Sequence, residues 1–215
     1  MRIDCKATVH MGAFSRGGVT RGANKACDHD LGCREKYVPW GIVDEESGEL
    51  CITFGSSYKT SDFVVATLEA KWQAMDAQAQ AAIELLQITM ANGPESRGVR
   101  TQFLHRMVQF ADHIGKPIQL LYYPPYHSKY NPIERCWGIL EVHWNGTQLV
   151  DVETMLAWAQ SMTWKSIHPV VALSRKVYQK GIALSKKAMQ EVERRLERHP
   201  ALPKWDILIR PVVAW

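Results

Sequence analysis

The chain has 215 residues, of which 46% are hydrophobic and 22% are charged, and its formal net charge is +4. This composition is typical of an ordinary globular protein, and the length allows one domain with a sizeable core, with or without an appendage. No apolar run approaches membrane-spanning length, no signal peptide opens the chain, and five cysteines form no regular framework. We therefore expect a cytoplasmic protein without a membrane partner.

Hydrophobic periodicity predicts strands and helices in alternation along the chain. Residues 2–10 alternate, with Ile3, Cys5, Ala7 and Val9 on one face, and the glycine-rich, charged residues 12–36 predict a long loop. Further strands are predicted at residues 37–43, 50–54, 82–90 and 118–123, and helices at residues 60–80, 100–113, 131–144, 151–162 and 185–198.

This order of elements predicts an α/β fold with a mixed sheet flanked by helices. Three strands followed by alternating helices and strands match the ribonuclease H-like architecture, for which we expect a five-stranded sheet within residues 1–165. Residues 166–215 are predicted to form a basic helical extension. Because the chain opens directly on an alternating strand, we expect an N-terminal domain to be missing.

Carboxylates at the ends of predicted elements are the candidate metal ligands, because magnesium prefers oxygen and a pair of ions suits phosphodiester chemistry. Asp4 lies on the polar face of the first strand, where it is either a ligand or a solvent-facing acid. Glu134 lies three residues after the predicted N-cap Asn131, where it is either a ligand or part of a capping box. Glu141 is a rival on the same helix. The strand end at Ala91 carries no acid.

Two acidic residues near that strand end and several aromatic residues have open roles. Glu95 and Asp112 are close to Ala91 in sequence, and Asp112 falls late in a helix, where a surface position is expected. Cys27 and Cys33 have a spacing that only weakly indicates zinc.

Five aromatic residues have two possible roles, stacking on unpaired bases or packing in the core. They are Tyr122, Tyr123, Tyr126, Trp137 and Trp144, and core packing is expected for the two tryptophans.

Basic residues indicate a polyanion partner. Residues 174–204 hold nine Lys or Arg and three Glu, and Ala188, Val192 and Leu196 give the predicted helix one narrow apolar face. The alternative is a solvated basic helix. Arg16-Gly-Gly18 is either a phosphate cradle or a plain loop. Residues that we expect to contact DNA are Lys6, Arg16, His127, Lys129, Arg135, Lys186, Lys187, Arg194, Arg195 and Arg198.

Four motifs occur in the order of one known family. They are Arg2-Ile-Asp-Cys-Lys6 with Gly12-Ala-Phe-Ser-Arg-Gly-Gly18, Asp28-His-Asp30 before Trp40-Gly-Ile42, Met90-Ala-Asn-Gly-Pro-Glu95, and Pro124-Pro-Tyr-His-Ser-Lys-Tyr-Asn-Pro-Ile-Glu134. Over about residues 1–165 the sequence resembles the Rhodopirellula-type DDE transposases of bacterial insertion sequences, and more distantly the mariner-like elements.

The resemblance implies roles for three positions and a set of partners. Asp4 would be the first metal ligand, Ala91 the vacated second acidic position and Glu134 the third. The intact site would hold two Mg²⁺ ions, with Mn²⁺ as a substitute. It also implies transposon ends and target DNA as partners, a homodimer, a nucleoid-associated location in bacteria and an N-terminal DNA-binding part, which we expect to be missing here.

Ala91 leaves two explanations open, an engineered Asp→Ala change or a natural loss in a repurposed protein. The first makes the chain the disabled catalytic core of a transposase that cleaves DNA and transfers strands. The second favours a non-catalytic DNA-binding or assembly protein derived from a transposase. A ribonuclease H-like nuclease would share the metals but not the family motifs.

Overall fold

The helices and strands are taken from a computed structural model, which describes residues 1–19 and 35–212. Cys27, Cys33 and the segment Asp28-His-Asp30 lie outside the described residues. In chain order the elements are β1 (Arg2–Cys5), β2 (Val9–His10), β3 (Lys36–Val43), β4 (Leu50–Gly55), α1 (Ser61–Gln73), α2 (Ala77–Ala82), β5 (Leu86–Met90), α3 (Thr101–Ile114), β6 (Ile118–Tyr122), a 3-10 turn (Ser128–Tyr130), α4 (Pro132–His143), α5 (Val152–Ser161), β7 (Val170–Ser174), α6 (Lys186–Glu193), β8 (Leu196–Arg198) and β9 (Asp206–Ile209).

The chain divides into two compact units. Unit 1 comprises Met1–Ile3, Tyr58–Asn131 and Tyr178–Trp215, and unit 2 comprises Asp4–Ser57 and Pro132–Val177. β1 contributes its first two residues to unit 1 and its last two to unit 2. Among the described residues, no helix combines the length and the apolar character needed to cross a membrane.

The strands of unit 1 form a mixed sheet. β1, β5 and β6 are parallel, with Ile3 beside Met90 and Met90 beside Tyr122. β9 pairs antiparallel with β6, and β8 pairs antiparallel with β9. Ile88 and Ile207 are fully buried within it. Because the three parallel strands are in register, their carboxyl ends lie at the same edge of the sheet.

Two long helices cover this sheet. α1 begins after Thr60, whose Oγ1 accepts a hydrogen bond from the Phe63 amide at 3.2 Å, as expected of an N-cap. α3 ends at Gly115, whose φ of 64° is a conformation that favours glycine. Phe63 and Phe103 are buried. α6 contacts α3, and Val192 is its buried residue.

The strands of unit 2 also form a mixed sheet. β3 and β4 form an antiparallel hairpin, β2 pairs with β3, and β7 runs parallel to β4. The apolar face predicted for α4 is confirmed, since Ile133, Trp137, Leu140 and Trp144 are all buried. α4 packs on β3 at Gly41, where an added Cβ would lie 2.5 Å from Ile133 Cδ1 and 2.6 Å from Trp137 Cζ2. The missing side chain at Gly41 therefore allows the close approach of helix and strand.

The mixed sheet flanked by helices is confirmed, but the prediction of five strands is wrong, because the described residues form nine. Three of the additional strands, β7, β8 and β9, follow residue 165, so that segment is not only helical. The helix predicted at residues 185–198 ends at Glu193 because β8 pairs with β9.

Three further boundaries also differ from the prediction. The helix predicted at residues 60–80 is broken where Asp76 caps α2, with Asp76 Oδ1 accepting the Ala79 amide at 2.8 Å. The strand predicted from residue 82 starts at Leu86, because α2 extends to Ala82. Ala7 was expected on the buried face of the first strand but is exposed, since β1 ends at Cys5.

Candidate active site

The edge of the unit 1 sheet is where the predicted site begins. β1 and β5 pair in register up to Ile3 and Met90, and the residues that follow in the chain are Asp4 and Ala91. The Tyr123 amide donates to the Met90 carbonyl at 3.0 Å, which continues the pairing of β6 with β5. Sites in open α/β sheets form outside such carboxyl ends.

Asn131 links the segment before α4 to this edge. Its side chain is fully buried, and its Nδ2 donates to the Ile3 carbonyl at 3.1 Å. The expected turn after β5 is present as well, with the Gly93 amide donating to the Ala91 carbonyl at 2.9 Å. Two of the motifs that carried the family resemblance thus shape the backbone around the ends of β1 and β5. The sequence interpretation gave Asn131 only the role of a helix cap and missed this bond.

The two carboxylates of the predicted site both belong to unit 2. Asp4 is half-buried, and its Oδ1 accepts the amide of Cys5 at 2.7 Å. Glu134 is exposed on the first turn of α4. Ala91, in unit 1, is half-buried and offers only a methyl group.

Glu141, the rival acid on α4, belongs to an ion-pair cluster. It pairs with Lys6, lies 4.0 Å from Arg16 and accepts a hydrogen bond from Trp144 Nε1 at 2.8 Å. Burial by itself would raise the pKa of Glu141, but the hydrogen bonds from Lys6 and Trp144 and the charges of Lys6 and Arg16 hold it below its usual value. Glu141 therefore ties the segment after β1 to α4.

The glycine-rich segment that was a candidate phosphate cradle packs against the end of α4. A Cβ at Gly18 would lie 2.5 Å from the Asn145 side chain, and the Gly146 amide donates to the Gly17 carbonyl at 2.9 Å. Arg16 lies over the Trp144 ring, 4.9 Å from its centroid, and burial lowers its pKa. These packing contacts explain why glycine occupies positions 17 and 18, so a bound phosphate is not needed to explain them.

The basic residues predicted to contact DNA fall into two further places. In the loop before α4, His127 stacks on Tyr130 with ring centroids 5.8 Å apart, and Lys129 Nζ lies 5.3 Å from the Tyr130 centroid. Arg135 is exposed on α4. The remaining five surround α6, where Lys186 and Lys187 are exposed, Arg194 pairs with Glu191, Arg195 with Asp112 and Arg198 with Glu193.

The aromatic candidates separate by burial. Trp137 and Trp144 pack in the core, as expected. Tyr122 is also buried, with its hydroxyl donating to the Ser96 carbonyl at 2.7 Å, and burial raises its pKa. Tyr123 is half-buried beside Arg2, whereas Tyr126 is 98% exposed. Tyr126 is thus the aromatic candidate best placed to meet a base.

The donor set does not fit a pair of divalent ions. Within residues 1–19 and 35–212, no group of three or more His, Cys, Asp or Glu side chains could hold a metal ion. In the predicted site, Asp4 and Glu134 would supply two carboxylates, and a methyl group at position 91 cannot ligate a hard cation. A two-ion site would need the acid that position 91 lacks.

Comparisons with known proteins give the family. No curated protein matches the sequence. Among solved structures, the chain is similar to a chain of the "CryoEM structure of simian T-cell lymphotropic virus intasome in complex with PP2A regulatory subunit B56 gamma", with 18% identity and a TM-score of 0.36 over 63% of this chain and 42% of that chain. Residues 1–211 match the family described as Rhodopirellula transposase DDE domain. Since the match spans nearly the whole sequence, the chain belongs to the Rhodopirellula-type family of transposase DDE domains.

Proposed function

We propose that this chain is the catalytic domain of an insertion-sequence transposase whose active site comprises Asp4, position 91 and Glu134, and that Ala91 disables it. The proposal is supported above all by the family match over residues 1–211. Asp4 and Glu134 are the acids in the two sequence motifs that resemble the family's first and last motifs. The register of Ile3 with Met90 and the bond from Asn131 to the Ile3 carbonyl are consistent with it.

The reaction that this proposal implies is transfer at phosphorus in DNA. Water would attack the phosphodiester at the element's end and release a 3′ hydroxyl, which would then attack a phosphodiester of the target and displace its 3′ oxygen. Two divalent ions would stabilise the developing charge in the intact site. The partners implied are transposon ends, target DNA and a second copy of the chain, in the bacterial nucleoid.

A matched pair of proteins tests the proposal. The chain as it stands and its Ala91→Asp variant are incubated with Mg²⁺ or Mn²⁺ and a supercoiled plasmid that carries the ends of the source element. We expect cleavage by the variant to exceed that of the unchanged chain by at least about 10²-fold, the typical effect of one transition-state stabiliser.

The control is the double variant Ala91→Asp with Glu134→Gln, which should return to the background. Equal activity of the unchanged chain and the Ala91→Asp variant would refute the catalytic assignment. If the variant stays inactive while both proteins bind the plasmid equally, the alternative of a non-catalytic DNA-binding or assembly protein is favoured, for which Ala91 is the supporting observation.

A further inference from the structure

One buried hydrogen bond joins the two chain segments that lead to Asp4 and to Glu134. Asn131 Nδ2 donates to the Ile3 carbonyl at 3.1 Å, across 128 positions in the sequence. Both residues are fully buried, and both belong to unit 1. In each case the next residue of the chain, Asp4 or Pro132, belongs to unit 2. The bond therefore ties together two of the points at which the chain passes from unit 1 to unit 2.

This bond explains why residue 131 is asparagine. Position 131 directly precedes α4, where Asp, Ser, Thr and Asn would all serve as helix caps. An ionised Asp has no hydrogen to donate and its charge would be costly at a fully buried position, whereas the hydroxyl of Ser or Thr lies one bond closer to the backbone. Asparagine combines a donor with the reach to the Ile3 carbonyl. Four other helices begin with an Asp, Ser or Thr cap, and these caps are Thr60, Asp76, Asp151 and Ser185.

Stiff backbone connects Asn131 to Glu134. Pro132 is the first residue of α4, and its ring fixes φ at about −65°. Ile133 is fully buried and packs at Gly41, where an added Cβ would lie 2.5 Å from Ile133 Cδ1. Glu134 follows on the first turn of the helix. A displacement of Asn131 would therefore be transmitted to the backbone of Glu134.

The segment after Ile3 is held as firmly. Asp4 follows Ile3 within β1, and its Oδ1 accepts the Cys5 amide at 2.7 Å. The Lys6 amide donates to the Pro39 carbonyl at 3.0 Å, which fixes the chain beyond Cys5 to β3. The backbone and the carboxylate of Asp4 are thus both restrained, and the Ile3 carbonyl is the point at which Asn131 acts on them.

We propose that Asn131 is a positioning residue, whose bond to the Ile3 carbonyl fixes the separation of the Asp4 and Glu134 carboxylates. Its catalytic consequence rests on the function proposed for these two acids. The positioning itself does not, since it depends only on the bond and on the stiff segments that leave its two ends.

Hydrogen exchange of single amides in the chain as it stands tests the positioning without DNA or metal. Asn131→Ser keeps a capping hydroxyl but cannot reach the Ile3 carbonyl. The Cys5 amide reports on the Asp4 carboxylate, to which it donates. We expect its exchange to become faster by about fivefold or more, the effect of one lost hydrogen bond. Thermal unfolding verifies that the variant is folded.

Asp151→Ala is the matched control, because it removes a helix cap of α5 without touching Asn131. Asp151 Oδ1 accepts the Thr154 amide at 2.7 Å. In this variant the Thr154 amide should exchange faster while the Cys5 amide is unchanged. Asn131→Ser should give the reverse pattern, which a general loss of stability would not produce.

A second readout uses the Ala91→Asp variant, with plasmid binding and the single-turnover cleavage rate measured separately. Adding Asn131→Ser should lower the cleavage rate by about 10²-fold, the effect of a small misplacement of catalytic groups, and leave plasmid affinity unchanged. Adding Asp151→Ala should change neither. Absence of cleavage by the Ala91→Asp variant itself would count against the proposed function, and the exchange pattern would then decide the positioning alone.

Three results would overturn the inference. The first is an unchanged Cys5 exchange rate in folded Asn131→Ser, and the second is equal acceleration of Cys5 exchange by Asp151→Ala. The third is an Ala91→Asp variant that cleaves equally fast with and without Asn131→Ser.

Discussion

Glu141 shows how one side chain can resemble a catalytic acid in sequence and yet have a structural role. Its carboxylate is engaged by Lys6, Arg16 and the Trp144 indole. Glu134, two turns earlier on α4, is exposed. The two acids of one helix thus have different environments, one engaged in ion pairs and the other exposed. The spacing of the residues in the sequence did not reveal this difference.

Replacement of Glu141 with Gln should change the pH dependence of stability. Because the pKa of Glu141 is lowered in the folded chain, its contribution is fully present above the unfolded value of about 4.3 and is lost as pH falls through the folded value. Urea unfolding at neutral pH should show the variant less stable, by less than about 1 kcal/mol for this part-exposed pair. The difference should shrink at about pH 3.

Glu84 provides the matched control. It is exposed and makes no ion pair with any residue that the structure describes, so Glu84→Gln should leave stability nearly unchanged at both pH values. A deficit in Glu141→Gln that is equally large in acid would mean that its origin is packing rather than charge.

At the scale of the element, the position of α4 depends on a glycine in β3. A Cβ at Gly41 would lie 2.5 Å from Ile133 and 2.6 Å from Trp137. Gly41→Ala should therefore destabilise the chain by about 1–3 kcal/mol, the usual cost of overpacking. Denaturant unfolding measures this loss.

Gly138 on the exposed side of the same helix is the matched control. An added Cβ there would meet nothing within 4 Å. Gly138→Ala should stabilise the chain by about 0.5–1 kcal/mol, because alanine is the better helix former. Equal effects at the two positions would contradict the close contact between α4 and β3.

The basic helix α6 supports a second prediction at this scale. Lys186, Lys187 and Arg194 are exposed, whereas Arg195 is held by Asp112 of α3 and by the Arg210 carbonyl. If α6 meets DNA, Lys186→Glu, Lys187→Glu and Arg194→Glu together should lower affinity for any sequence. They should also reduce the slope of log affinity against log salt by about 0.9 for each phosphate that the helix no longer neutralises.

Arg195→Ala separates binding from folding. Its ion pair with Asp112 holds the segment after α6 to α3. The pKa of Asp112 is lowered by hydrogen bonds from Arg195 and the Val212 amide, despite opposing desolvation. We expect that variant to lose stability, measured by thermal unfolding. If the triple charge reversal leaves the salt slope unchanged, the charge of α6 only solvates the helix.

The elements that sequence could and could not predict differ in length and in partners. α3 and α4 were predicted within about two residues because long amphipathic periods identify a helix. β8 and β9 have three and four residues, too few for a period, and they exist through pairing with each other and with β6. The pairing of β8 with β9 overrides the helical pattern of residues 194–198. The local sequence contains no information about this pairing.

The candidate site was predictable to a similar extent. Motif order identified Asp4, Ala91 and Glu134, which remain predictions. Asn131 could be placed at the start of α4 but not on the Ile3 carbonyl, since that bond joins residues 128 positions apart. A glycine inside a strand, such as Gly41, was the available signal for a close helix approach.

At the scale of the whole molecule, the chain belongs to a family of transposase DDE domains, yet it carries alanine at the proposed second acidic position. The backbone features around that position are retained: the parallel register of Ile3 with Met90, the turn at Gly93 and the buried Asn131. This retention is expected if only one side chain separates the chain from a working site.

The most direct measurement is the anomalous diffraction of Mn²⁺ in crystals of the Ala91→Asp variant and of the unchanged chain. The account predicts two Mn²⁺ ions about 4 Å apart in the variant. The carboxylates of Asp4, Glu134 and the introduced acid should be their ligands, whereas the unchanged chain should not bind the pair. Mn²⁺ bound elsewhere in the variant, or not bound by Asp4 and Glu134, would contradict the central claim that these three positions form one metal site.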